Sequence, residues 1–189
     1  MLLTVLIGSL GGVSQAAGND GLIDDRSSGT FRASIGSEWR LVSDQVMGGR
    51  SSGQMRTDKF QGRECLRMLG DVSTENNGGF LQIALDLAAG KRIDASEFDG
   101  VLLQVAGNGE AYKLHLRTSD LSMPWQSYRA GFVAKAEWSE IRIPFADLEA
   151  YRSGRAFRPQ RLTRIGLVAI GREFHADLCV AGVRFYRAE

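Results

Sequence analysis

The sequence predicts an all-β protein, a jelly-roll β-sandwich of two antiparallel sheets, and three observations predict it. Apolar and polar residues alternate with period two through several runs, the pattern of strands with one buried face. Turn signals built from Gly and Asn separate these runs at intervals of roughly ten to fifteen residues. No long amphipathic helix pattern lies between them, which argues against a parallel sheet with crossover helices.

Taken in chain order, Leu2 to Leu10 is almost wholly apolar and runs into the small residues Gln15-Ala16-Ala17-Gly18. Residues 1–17 read as a secretory signal peptide, although no Lys or Arg precedes Arg26. The run is shorter than the ~20 apolar residues of a spanning helix, so the mature chain is expected to have no integral membrane span. Residues 18–37 are polar, with Asp20, Asp24, Asp25 and Arg26, and read as a loosely held leader. Residues 38–189 then form the domain.

Within it, Val101 to Val105 and Tyr112 to Arg117 alternate most cleanly, followed by Trp138 to Ile143 and Arg164 to Ile170. Shorter strands are expected over Gly62 to Leu69, Phe80 to Leu87, Ser127 to Val133 and Leu178 to Tyr186. Asn76-Asn77-Gly78-Gly79, Phe98-Asp99-Gly100 and Gly107-Asn108-Gly109 supply the turns between them. One short helical turn is expected in Ala146 to Arg152.

Composition excludes several functions. The chain has 189 residues, 23 Lys+Arg against 22 Asp+Glu and a formal charge of +1, so there is no bulk field to hold nucleic acid. The phosphate loop, the His-Glu-x-x-His helix and the Gly-x-Ser-x-Gly elbow are missing from it, and His115 and His175 are isolated. No metal site, no cofactor and no enzyme activity are therefore expected; a catalytic alternative would have to use Asp44, His115 or Glu140. Cys65 and Cys179 are either one long-range disulfide or two free thiols.

The most distinctive segment is Trp39-Arg40-Leu41-Val42-Ser43-Asp44-Gln45-Val46-Met47-Gly48-Gly49-Arg50-Ser51. Trp39 and Val42 read as buried anchors. Asp44, Gly48, Gly49 and Ser51 read as a loop in which a carboxylate and a hydroxyl bond main-chain donors. The segment resembles the opening motif of the complex I intermediate-associated protein 30 family. Further blocks continue the resemblance in order: Glu75 to Phe80, Phe98 to Val101, Gly107 to Leu114, Tyr128 to Phe132, Trp138 to Phe145 and Ile165 to Leu167, together spanning roughly residues 38 to 187. The resemblance implies a galactose-binding-like jelly roll. It also implies a non-enzymatic protein-interaction or assembly-factor module, chaperone-like, whose partner is another protein or protein complex. The alternative it carries is a carbohydrate-binding module of the same fold.

Alternation places Lys113, His115 and Arg117 on one face of their strand, opposite Tyr112, Leu114 and Leu116. Pairing with the segment Met123 to Phe132 would add Trp125, Tyr128 and Arg129, giving an aromatic and guanidinium platform. The expected binding surface is therefore Asp44, Gly48, Gly49 and Ser51 together with Lys113, His115, Arg117, Trp125, Tyr128 and Arg129. Against it stand a solvated sheet face and, for the loop, a structural corner. With a signal peptide, the expected location is periplasmic or extracellular.

Overall fold

The computed structural model describes residues 20–188, so the stretch read as a signal peptide, residues 1–17, lies outside the described residues. Among the described residues the strands are β1 Leu22–Asp24, β2 Trp39–Ser43, β3 Ser52–Phe60, β4 Arg63–Val72, β5 Phe80–Asp86 and β6 Gly100–Gly107. They continue with β7 Ala111–Thr118, β8 Ser127–Val133, β9 Ser139–Pro144, β10 Glu149–Tyr151, β11 Leu162–Ile170 and β12 Phe174–Tyr186. Short 3-10 turns join several of them. One sheet runs β3-β4-β12-β6-β9 with β1 added beside β12, and the other runs β10-β8-β7-β11-β5-β2. Pairing within both sheets is antiparallel. This is the expected jelly-roll sandwich.

The core forms because alternate residues of both sheets face inward. Leu66, Met68, Val101, Leu103, Val105, Leu178 and Val180 meet Leu81, Ile83, Leu85, Leu114, Leu116, Ile165 and Leu167, all buried in one cluster. Each such side chain contributes roughly 2 kcal/mol by leaving water. The long strand β12 keeps this alternation only with help. Its register against β6 shifts between Val180 and Gly182. That irregularity lets Val183 and Phe185 face the core after Leu178 and Val180 have done so, with Cys179 and Ala181 on the opposite side.

That opposite side carries a small second cluster. Cys65, Cys179 and Ala181 are buried beneath Phe60 and Trp138. The sulfurs of Cys65 and Cys179 are joined, with their Cα atoms 5.5 Å apart. Trp138 belongs here and not to the main core: its indole N–H donates to the Phe60 carbonyl at 3.1 Å, and the two rings meet edge to face.

Residues 20–37 differ from the loose leader that their composition predicts. Ile23 is fully buried and β1 pairs with the far end of β12, Leu22 opposite Arg184. The polar residues are there to satisfy one another. Asp24 accepts from the Arg26 guanidinium at 2.7 Å and from the Trp39 indole at 2.7 Å, and Arg26 also donates to the Thr30 carbonyl. A buried charge is tolerated when it is paired and hydrogen-bonded in this way, so a charged segment folds into the sandwich. Likewise the expected helical turn near Ala146 is a 3-10 turn, Phe145–Asp147, followed by the short strand β10.

Candidate binding surface

The outer face of the β10-to-β2 sheet is assembled strand by strand from the register. Ser127, Arg129, Gly131 and Val133 of β8 lie outward because Tyr128 and Phe132 are buried in the core. In β7, Lys113, His115 and Arg117 share that side, while Tyr112, Leu114 and Leu116 fill the interior. The register sets His115 between Arg129 of β8 and Gly166 of β11, and Arg117 beside Arg164. At the sheet edge, Tyr151 pairs with Ser127 and Glu149 with Arg129.

The expected basic face therefore exists, but its residues do different things. Lys113 is exposed and has no ion-pair partner among the described residues. Arg129 lies over the Tyr151 ring, 3.5 Å from its centre, and donates to Ser127 at 2.8 Å. Arg152 flanks the same ring at 5.5 Å. Arg117 is half-buried and organises the following loop: its guanidinium donates to the carbonyls of Met123 at 2.9 Å, Pro124 at 2.8 Å and also Gln126. Trp125, at the tip of that loop, is 50% exposed. Gln126 ties the loop to the Tyr151 strand by donating to the Arg152 carbonyl at 3.0 Å. Two exposed aromatics and three guanidiniums thus converge on one corner of the sheet.

Two members of the expected platform are not available to a ligand. Tyr128 is 1% exposed because it shares the inward parity of Ala130 and Phe132, and its hydroxyl donates to the Ala156 carbonyl at 3.1 Å. His115 is 8% exposed, covered by its cross-strand neighbours. Burial, with the nearby charges of Arg129 and Lys113, pushes its imidazole down to about 3, so it stays neutral at ordinary pH.

The Asp44 to Ser51 loop is also a correction, because three of its four expected binding residues, Asp44, Gly49 and Ser51, are buried. Asp44 and Ser51 are fully buried. The Asp44 carboxylate accepts from the Ser51 amide at 2.9 Å, from the Ser51 hydroxyl at 2.5 Å, and from the amides of Gly79 and Phe80. Burial raises its pKa, but the bonds from Ser51, Gly79 and Phe80 outweigh burial and hold it below the usual carboxylate value. Gly49 is buried, and Gly48 caps the 3-10 turn with φ +85°. This segment is a corner that joins two loops. It shows solvent Val46 and Met47, which are 74% and 64% exposed.

Sequence reasoning missed Tyr151, Arg152 and Arg164. A three-residue strand has no room to display alternation, so β10 carried no periodic signal. Arg164 was visible as the outward neighbour of Ile165, but its position beside Arg117 depends on strand order. Among the described residues no group of three or more His, Cys, Asp and Glu is placed to hold a metal, and no helix is long and apolar enough to cross a membrane.

Two antiparallel sheets in this order define the class as a galactose-binding-like jelly roll, the architecture of many carbohydrate-binding modules. Within that class, the family described as complex I intermediate-associated protein 30 matches residues 30–179, and the chain belongs to it. Among solved structures it is similar to the family 11 carbohydrate-binding module of the cellulosomal cellulase Lic26A-Cel5E of Clostridium thermocellum. The TM-score is 0.71 at 11% identity, over 93% of this chain and 97% of that one. It is similar as well to a family 30 carbohydrate-binding module from a cellulosomal cellulase of the same organism, with a TM-score of 0.56 at 14% identity, over 75% of this chain and 92% of that one. An exo-beta-agarase matches with a TM-score of 0.59 at 9% identity, over 90% of this chain but 26% of its own. No curated protein sequence matches.

Proposed function

We propose that this domain acts by binding, without catalysis, and that it engages a protein partner through the outer face of the β10-to-β2 sheet. The observation that carries the reading is the pair Arg129 and Arg152 around Tyr151, with Lys113 exposed on the same sheet face. These cations have no carboxylate paired to them among the described residues, whereas Arg40 and Arg164 on the same face are both held by Asp86. An exposed Tyr framed by guanidiniums is the composition of a protein-binding hot spot, and uncompensated positive charge selects an acidic partner surface. The family's name, which refers to an intermediate of complex I, agrees with an assembly-factor role. The Cys65–Cys179 bond and the apolar run Leu2 to Leu10 support export to the periplasm or beyond the cell, where a disulfide persists. Sequencing the amino terminus of the mature protein tests the export reading.

A carbohydrate ligand is the second reading, favoured by the exposed rings of Trp125 and Tyr151 and by the similarity to carbohydrate-binding modules. One experiment separates the two. A photoreactive side chain placed at position 125 should give a discrete protein adduct in cells, reduced by Lys113→Glu with Arg152→Glu and by salt above roughly 0.5 M, where surface attraction is screened. Capture of a glycan instead, lost in Tyr151→Ala, transfers the assignment to carbohydrate. With neither adduct, the face is not the binding surface.

A further inference from the structure

The two edges that the sandwich leaves open on its β8 and β9 side are not equivalent. β10 pairs with β8 only at Ser127 to Arg129, so Ala130 to Val133 has no strand beyond it among the described residues. The Ala134 amide bonds the Glu110 carbonyl across to β7 at 3.1 Å. Antiparallel strands alternate the direction of their main-chain groups, so Phe132 and Ala130 also bond β7. Gly131 and Val133 then turn their N–H and C=O groups away, toward open space. β9 ends the other sheet. There the Phe145 amide bonds the Asp99 carbonyl at 2.7 Å, which by the same alternation points the groups of Glu140 and Arg142 outward.

The β9 edge is guarded in the ways that prevent strand addition: a charged pair, Arg142 with Glu140 at 3.4 Å, and Pro144, which has no N–H to give. The β8 edge has neither. Gly131 has no side chain, and Val133 is 47% exposed. Between the two edges lies a cleft of about 400 Å3, whose charged lining residues are Lys113, Arg129, Lys135, Arg142, Asp147 and Glu149.

We propose that the free edge of β8, from Ala130 to Val133, receives an extended acidic segment of a partner protein as an added strand. It rests on the protein-partner reading above and names the kind of segment the partner offers. Gly131 and Val133 supply four main-chain groups, enough for a segment of about four residues, or ~13 Å of extended chain. With Arg142 paired to Glu140, Lys113, Arg129 and Lys135 still outnumber Asp147 and Glu149, which favours acidic side chains on that segment, and the same cations repel the equivalent edge of a second copy of this chain. The open edge is thereby protected from self-pairing while remaining available to an acidic strand.

Fluorescence polarisation of the full chain with a labelled peptide alternating Glu and Val tests this. The acidic peptide binds about tenfold or more tightly than one alternating Lys and Val, a difference of about 1.4 kcal/mol. N-methylation of its amides, which leaves the protein untouched, removes binding if the contact is a strand ladder. Val133→Pro deletes one outward N–H without removing a β7–β8 bond, and is expected to weaken binding at least about tenfold with an unchanged unfolding midpoint. No rise in polarisation with the acidic peptide, or equal binding by the N-methylated one, overturns the proposal. If Val133→Pro still forms the adduct at position 125, the sheet-face reading stands and the edge proposal falls.

Discussion

Gly49 lies against Asp44 so closely that a Cβ built on the glycine would sit 2.7 Å from the Cβ of the aspartate and overlap its carboxyl group. Gly78 approaches the same carboxylate from the other loop, where a built Cβ would be 2.8 Å from its Cγ. The space around Asp44 is filled by backbone because its oxygens must reach the amides of Ser51, Gly79 and Phe80. Gly49→Ala is therefore expected to destabilise the domain by about 2–3 kcal/mol, since backbone and a buried carboxylate must both give way. Gly48→Ala, with nothing within 4 Å and only the left-handed φ to oppose it, costs about 1 kcal/mol. Urea unfolding of the two variants checks the order; equal losses would mean that the corner is not packed around Asp44.

Replacing the carboxylate itself tests the same corner by charge. Asp44→Asn keeps the shape but presents an amide N–H2 toward donors, and is expected to cost about 3 kcal/mol by leaving buried N–H groups unmet. In the native protein the depressed Asp44 pKa contributes stability above the unfolded carboxylate range, lost as pH falls through the folded value. The variant's penalty should thus shrink below pH 3.8, measured as a converging pair of unfolding midpoints.

His115 sets a second acid limit. Its folded pKa of about 3 is below the ordinary 6.5, so the unfolded chain binds a proton that the folded one refuses. Stability is full above pH 6.5 and falls between 6.5 and about 3, by roughly 1.4 kcal/mol for each pH unit in that window. His115→Gln should flatten the decline between pH 6.5 and 4.5, above the range of most carboxylates. A parallel decline in the variant would show that the imidazole is not the group responsible.

Arg117 is expected to act on the loop and not directly on a ligand. Arg117→Ala frees the carbonyls of Met123, Pro124 and Gln126, so limited proteolysis should cut within residues 119–126 several-fold faster, at a global cost of about 1–2 kcal/mol. An unchanged cleavage rate would place the loop's order elsewhere.

The disulfide joins residues separated by 114 positions, and closing so long a loop stabilises the domain by about 4–5 kcal/mol in the chain-entropy picture. Reduction should add two hydrogens by mass spectrometry and lower the unfolding midpoint. No mass change would identify free thiols.

The middle strands β6, β7 and β11 were legible because each has one wholly apolar face, and Tyr128 could have been placed inside by its parity with Ala130 and Phe132. β3 was not legible. As an edge strand, its sequence Ser-Gly-Gln-Met-Arg-Thr-Asp-Lys-Phe buries little, so polar residues occupy both faces. The loop motif at Asp44 was legible as a loop, but that its partners would be Gly79 and Phe80, more than thirty residues on, is a tertiary fact. The burial of His115 is of the same kind: its own strand predicts an outward side chain, and the neighbours that cover it come from other strands. The Tyr151 corner needed the register of β10 on β8 before its residues could be seen as neighbours.

The pairing of β1 with the last residues of β12 gives the folding unit limits different from those of its family match. A fragment cut at residues 30 and 179 would lose Ile23 from the core, Asp24 from the Trp39 indole, and the stretch of β12 from Val180 to Tyr186 that lies along β6 and β1. It would expose the inner edge of β6 and remove the buried Arg26–Asp24 ion pair. The recognisable portion of the chain is therefore smaller than the portion that can stand alone, and its two flanks, the least distinctive parts of the text, act as the clasp that shuts the sandwich.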